Sequence, residues 1–242
     1  MQKKLSIKDL NKFFHNKKVL ITGHTGFKGI WLSIILQNFG AKVYGFSLKE
    51  PSRINNLKLF NLEKKIDTCY GDIVNKELFF KYSKKVRPDI LFHLAAQPLV
   101  KESYANPYDT FKTNVMGMLN VLEYAKTSES LKSIVLITSD KCYKNKELSS
   151  GYTENNELGG DDPYSASKAA AEILFSSYNK SFFKRKKIGI ATARAGNVIG
   201  GGDWCNDRII PDTIKSIIDK KKLIIRSPNS VRPWQHVLEP LS

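Results

Sequence analysis

Val19-Leu20-Ile21-Thr22-Gly23-His24-Thr25-Gly26-Phe27-Lys28-Gly29 decides the reading of this chain. Four apolar or β-branched residues form a short strand, and three glycines then recur at intervals of three. Glycine at such positions lets the backbone turn sharply, approach an anion and pack a helix onto a sheet. Behind the loop, Trp31, Ile34, Ile35 and Phe39 recur with helical spacing. A strand, a glycine loop and a helix N-terminus with free N–H groups make a binding site for a pyrophosphate.

Outward from this unit, apolar strands alternate with helical stretches. Lys42–Phe46, Ile66–Tyr70, Ile90–Leu94, Ile134–Ile137 and Ile188–Ala193 read as strands. Glu77–Val86, Asp109–Lys126 and a stretch from Pro163 to about Phe183 read as helices. Strands that are continuously apolar are buried on both faces. The pattern predicts an α/β doubly wound parallel sheet of Rossmann type. Ligands of such sheets bind beyond the carboxyl ends of the strands, so the residues after each strand are the candidates for function.

The chain has 242 residues, 41% of them hydrophobic and 26% charged, enough for one large core. That mixture excludes collagen-like and wholly disordered chains. No apolar run approaches the length of a membrane-spanning helix. The basic stretch Met1–Leu5 leads into no apolar signal-peptide core. Cys69, Cys142 and Cys205 form no C-x-x-C pair, which argues against a disulfide framework or a metal site and fits a reducing cytoplasm. Lys and Arg number 39 against 23 Asp and Glu, a net charge of +16. The lysine runs are scattered and read as solvated surface, and no nucleic-acid recognition motif accompanies them.

Tyr164-Ser165-Ala166-Ser167-Lys168 places a phenol and an ammonium four residues apart on one helix face. A phenol near pKa 10 is a poor base. Lowering it by about three units takes roughly 4 kcal/mol, which a neighbouring ammonium and an oxidised nicotinamide can supply. Ser139, after the fifth strand, can hydrogen-bond the same substrate oxygen. Asp140 and Lys141 follow directly; simple hydride transfer has no use for them, so they suggest additional proton transfers. The second strand ends without the acidic residue that often holds an adenosine ribose. Ser47 can bond a ribose hydroxyl, and Lys49 or Arg53 can meet a 2′-phosphate, which leaves NAD and NADP both open. Asp72 reads as an adenine partner, a helix N-cap, or both.

These residues resemble the extended short-chain dehydrogenase/reductase superfamily and, within it, the sugar-nucleotide 4,6-dehydratases of the CDP-glucose branch. The resemblance runs from Val19 to Ser242. It rests on the glycine loop, His93–Val100, Thr138–Tyr143, Arg194–Trp204 and Arg232–Val237. It implies a lyase that holds NAD and converts CDP-glucose to its 4-dehydro-6-deoxy product, a step of deoxysugar and lipopolysaccharide biosynthesis. Tyr164 would take the 4-hydroxyl proton, Lys141 the C5 proton, and Asp140 would protonate the departing 6-hydroxyl, with Ser139 and Lys168 completing the catalytic set. Gly23, Thr25, Gly26, Phe27, Lys28, Gly29, Asp72, Ile73, Ala95, Ala96, Gln97, Tyr164 and Lys168 would hold the cofactor. Asn197, Arg208 and Arg232 would meet the sugar diphosphate, and Thr113 and Asn114 either support the site or serve helix packing. No metal is implied. The cofactor domain would span 1–196, and 197–242 would be part of a sugar-nucleotide-binding region that family members continue beyond Ser242. A homodimer or larger assembly is the family expectation. The alternatives are an NAD(P)-dependent sugar-nucleotide epimerase or reductase, or a non-catalytic nucleotide-binding remnant.

Overall fold

The computed structural model describes residues 6–50, 54, 56–146 and 150–242. Met1–Leu5 and Arg53 lie outside the described residues. The elements in order are α1 (Ile7–Phe14), β1 (Lys18–Thr22), α2 (Phe27–Asn38), β2 (Lys42–Ser47), α3 (Asn56–Leu59), β3 (Asp67–Tyr70), α4 (Lys76–Val86) and β4 (Ile90–His93). They continue with α5 (Val100–Ala105), α6 (Pro107–Phe111), α7 (Gly117–Thr127), β5 (Ser133–Ile137), α8 (Pro163–Tyr178) and β6 (Gly189–Ala193). The last are β7 (Asn197–Ile199), α9 (Ile209–Ile218), β8 (Trp234–His236) and α10 (Leu238–Leu241).

Six strands form one parallel sheet in the order β3-β2-β1-β4-β5-β6, the doubly wound arrangement the sequence predicts. The chain turns from one half of the sheet to the other between β1 and β4, where a crevice opens at the carboxyl ends. Side chains alternate across the sheet. Leu20 joins Phe46, Phe79, Leu91, Leu122 and Leu136 on one face. Val19 and Ile21 join Ile30, Leu36, Val43 and Ile90 on the other. Both faces are therefore dry, which fixes the strand register. A separate parallel pair, β7 with β8, follows the main sheet.

The helix predicted over Asp109–Lys126 differs in the structure. Pro107 starts α6 afresh after Asn106, because proline suits a first helical position and disfavours helical backbone in the residue before it. The helix then widens into a π-turn at Lys112–Met116 before continuing as α7. α8 widens in the same way at Asn179–Phe183, the end foreseen from the sequence.

Candidate active site

The carboxyl ends of the sheet open into a cleft of about 1530 Å³, larger than the roughly 300–1000 Å³ of a typical single-ligand site. Its floor is the β1–α2 loop. Gly23 has φ of +74°, and a Cβ there would stand 2.7 Å from Ala95 N. A Cβ on Gly29 would stand 2.4 Å from Gly23 O. Both contacts are with backbone, so only glycine allows this cradle. Thr25, Gly26, Phe27 and Lys28 also line the cleft. The Thr25 hydroxyl lies 2.8 Å from that of Ser47 and donates to Leu48 O at 3.2 Å, which ties the loop to the end of β2. Behind the loop, burial pulls the His24 imidazole down to about 4, and its Nε2 lies 3.0 Å from the Thr68 hydroxyl.

Asp72, Ile73, Ala95 and Ala96 line the cleft as well. Asp72 is not the cap of α4: Asn75 is, accepting from Leu78 N at 3.0 Å, while Asp72 accepts from Val74 N at 3.1 Å. Gln97 is not among the lining residues. Its amide turns into the protein, donating to Leu99 O at 3.1 Å and to Thr110 Oγ1 at 2.8 Å. Asn114, in the π-turn, is the hub beneath it. Its Oδ1 accepts from Gln97 N at 2.8 Å, and its Nδ2 donates to Gln97 O at 3.1 Å and to Ser167 Oγ at 2.8 Å. The extra residue of the π-turn aims this amide between the β4 loop and α8. Thr113 lines the cleft itself.

The chemical groups face the glycine loop from β5 and α8. Thr138 N donates to Ala193 O at 3.0 Å and Asp140 N to Ala195 O at 3.1 Å, so β5 stays paired while it delivers Ser139. Ser139 caps a short 3₁₀ turn, Asp140–Cys142, and its hydroxyl donates to Asp140 Oδ1 at 3.0 Å. Ser139, Asp140 and Lys141 all line the cleft. Asp162 caps α8, accepting from Ser165 N at 2.9 Å, and Pro163 occupies its first position. Tyr164 and Lys168 project from the first turns into the cleft and are nearly fully buried. The Lys168 ammonium sits 6.0 Å from the centre of the Tyr164 ring. It is pulled down to about 8 by burial, with the charge of Lys28 adding to the effect.

The protein's own groups do not supply the lowering that Tyr164 needs as a base. Burial pushes its phenol up, and the hydrogen bond to Ser139 and the charge of Arg208 only partly oppose this. Lowering it to a working base requires a further positive charge beside the ring, as an oxidised nicotinamide would bring.

Asn197 and Arg208 line the far wall. Arg208 Nη1 donates to Asp203 Oδ2 at 2.9 Å. Arg232 does not reach the cleft. It is exposed in the loop before β8, and its Nη1 donates to Val231 O at 2.7 Å. Among the described residues, no acidic side chain pairs with its guanidinium to draw it inward.

Sequence reasoning passed over residues that shape the site. Trp31 Nε1 donates to Gly201 O at 2.9 Å and Asn56 Nδ2 to Gly202 O at 2.9 Å, pinning the Gly200–Gly202 segment above the glycine loop. Only long-range contacts reveal them. Among the described residues, no group of three His, Cys, Asp or Glu side chains could hold a metal ion, and no helix is long and apolar enough to cross a membrane.

The profile of the GDP-mannose 4,6 dehydratase family matches residues 20–241. The chain belongs to this family. As a family member it is similar to the CDP-glucose 4,6-dehydratase of Salmonella typhimurium, with 48% identity over 95% of the chain and 66% of that protein. It is also similar to the dTDP-D-glucose 4,6-dehydratase of Dictyostelium discoideum, with 32% identity over 86% of the chain and 50% of the relative. The chain thus spans two thirds or less of the length of these curated relatives. Among solved structures, an epimerase of Methanothermobacter thermautotrophicus superposes with a TM-score of 0.85 and 26% identity, covering 97% of this chain and 68% of that one. The dTDP-glucose 4,6-dehydratase of Bacillus anthracis, solved with NAD, gives 0.77 and 25% over 93% and 69%. The family members' shared fold accounts for the sheet order and for the glycine loop at its switch point.

Proposed function

We propose that the chain carries the catalytic centre of an NAD-dependent sugar-nucleotide 4,6-dehydratase acting on CDP-glucose. The observation that carries this reading is the convergence of Ser139, Asp140, Lys141, Tyr164 and Lys168 on one cleft, opposite the glycine cradle of the β1–α2 loop. The cradle fits a dinucleotide pyrophosphate, and the remaining volume leaves room for a second nucleotide. The Salmonella relative's activity supports cytidine as the base of that second ligand. The NAD bound in the Bacillus dehydratase supports the cofactor.

NAD, when bound, supplies a reversible hydride acceptor. The protein's own groups then divide the proton work. Tyr164, hydrogen-bonded to Ser139, takes the proton of the 4-hydroxyl, and Lys168 holds positive charge beside the phenol. A 4-keto group makes the C5 proton acidic, and Lys141 takes it. Asp140 gives a proton to the 6-hydroxyl, which leaves as water; return of the C4 hydride to C6 and of a proton to C5 would then give the 4-dehydro-6-deoxy sugar, with no net oxidation. Lys28, Lys168 and Arg208 face the cleft against Asp140 and Asp203, a set of cations suited to two diphosphates. Asn197 and Arg208 hold the sugar-side diphosphate. Tyr104, Tyr108 and Ile173 are exposed on α5, α6 and α8, which pack together, and these side chains support pairing with a second copy.

The test is incubation of the chain with NAD and, separately, with CDP-, dTDP-, UDP- and GDP-linked hexoses, followed by mass analysis. The expected product is CDP-glucose less one water. A 4-epimer of unchanged mass would favour the epimerase reading, and dinucleotide binding without any product would favour the remnant.

A further inference from the structure

Eight residues beyond Tyr164 on α8, Glu172 is a buried carboxylate that the proposed chemistry does not use. It forms an ion pair with Arg194, whose Nη2 donates to Oε2 at 2.7 Å and whose Nε donates to Oε1 at 3.0 Å. Thr138 Oγ1 donates to Oε1 as well, and Thr192 Oγ1 donates to Oε2 at 3.0 Å. The guanidinium is used on its other side too. Nη1 donates to Tyr143 OH at 2.9 Å and to Glu154 O at 3.4 Å, and the guanidinium lies 4.9 Å from the centre of the Tyr143 ring. Tyr143 in turn stacks on Tyr152 at 5.1 Å.

The arrangement has one geometric consequence. Thr138 immediately precedes Ser139, and Tyr143 immediately follows the Asp140–Cys142 turn. The pair therefore grips both ends of the segment that carries Ser139, Asp140 and Lys141, and it does so from the helix that carries Tyr164 and Lys168. Arg194 also opens the strand continuation toward Asn197. A buried ion pair is seldom the cheapest way to stabilise a fold, since an apolar pair of similar volume often serves as well. An apolar pair has no directional contacts to hold three segments in register. Taking the dehydratase reading as its basis, we infer that Glu172 and Arg194 are positioning residues that set Asp140 and Lys141 for the elimination step.

The experiment compares the parent chain with Glu172→Gln and Tyr143→Phe. The first removes the charge that receives four donors. The second removes only a hydroxyl outside the cleft and spares the fold if Glu172→Gln does not. Two readouts are taken. In the first, the NAD-loaded chain is given CDP-glucose, and C4 oxidation, followed by reduced-nicotinamide absorbance, is separated from water loss. In Glu172→Gln, water loss should slow about tenfold or more while C4 oxidation changes much less, so reduced cofactor accumulates. Tyr143→Phe should act in the same direction and more weakly. In the second, amide hydrogen exchange without ligand should quicken across 138–143 in both variants and remain unchanged in β1 and β4. Equal slowing of both steps, or exchange across 138–143 unchanged in Tyr143→Phe and in any folded Glu172→Gln, overturns the inference. A parent chain that performs neither step refutes the dehydratase reading instead, and the exchange readout still decides whether the pair holds the segment.

Discussion

Replacing Lys168 with methionine should make the protein more stable while removing its function. The Lys168 side chain is only 5% exposed, and burial together with the charge of Lys28 brings its ammonium from 10.5 to about 8. In the unfolded chain it titrates near 10.4. At neutral pH the folded protein therefore carries a charge it is strained to hold. The difference of about 2.5 units corresponds to about 3 kcal/mol of destabilisation below pH 8. Methionine fills a similar volume without the charge. The ammonium's long contact to Ile137 O, at 3.5 Å, offsets little of that gain. The variant should gain about 2–3 kcal/mol at pH 7, or roughly 5–10 °C in Tm for a chain of this size. The sign of the pH dependence is fixed by proton counting. Between pH 8 and 10.4 the unfolded chain binds this proton and the folded chain does not, so parent stability from this group rises with pH. The variant lacks that rise, and its advantage should shrink across the same window. Urea midpoints of both proteins, free of dinucleotide, at pH 7, 8, 9 and 10 measure this directly. A variant less stable than the parent at pH 7, or an advantage that stays flat to pH 10, would refute the reasoning.

Three further substitutions probe the cleft. Lys141→Met should leave C4 oxidation intact and abolish exchange of the C5 proton with solvent deuterium; exchange that persists removes Lys141 as the base. Gly29→Ala places a Cβ 2.4 Å from Gly23 O, so the loop must shift; a cost of about 1–3 kcal/mol in stability is expected. Dinucleotide binding, read by fluorescence titration, should weaken about tenfold or more, since charge-assisted hydrogen bonds to the pyrophosphate lose alignment; unchanged affinity would mean the loop is not the pyrophosphate cradle. Arg208→Gln removes the guanidinium paired with Asp203. It should raise KM for the sugar nucleotide about tenfold or more with little change in dinucleotide affinity, because a lost charged hydrogen bond is worth about 1.5–3 kcal/mol. Equal losses for both ligands would place Arg208 between the two sites rather than at one.

Most of the sheet is legible in the sequence because its strands are buried on both faces and stand out as short apolar runs. Val19–Thr22, Ile90–His93 and Ser133–Ile137 need no tertiary information to be found. The same holds for Tyr164 and Lys168, whose spacing of four is a local property of a helix. The short elements outside the sheet are harder. α1 has no buried residue, and only its capping box of Ser6 and Asp9 marks it. α9 carries exposed isoleucines that periodicity alone does not separate from a core helix. Side-chain direction is less legible still. Gln97 stands in the right segment, but Thr110 and Leu99 claim its amide. Arg208 and Arg232 look equivalent as arginines in a chain, yet only Arg208 meets an acid that draws it toward the cleft. Glu172 and Arg194 lie 22 residues apart and meet only because β6 packs beside β5 under α8.

Charge makes the same point on a larger scale. The net +16 is carried chiefly by runs such as Lys84-Lys85, Lys184–Lys187 and Lys220–Lys222, all exposed. Water and salt screen such charges, so they say little about which ligand the protein takes. Three cations of the cleft that burial affects most come from elsewhere: Lys28 from the glycine loop, Lys168 from α8 and Arg208 from the approach to α9. They are few but poorly solvated. Burial, with the charge of Arg208, holds the Lys28 ammonium below its ordinary range, and burial, with the charge of Lys28, does the same to Lys168. A diphosphate seated beside Lys28 would offset the repulsion that Lys28 exerts on Lys168 and let Lys168 keep its proton next to the Tyr164 phenol. Anion binding and readiness for proton abstraction are therefore linked through two lysines that no composition-level count distinguishes from the others.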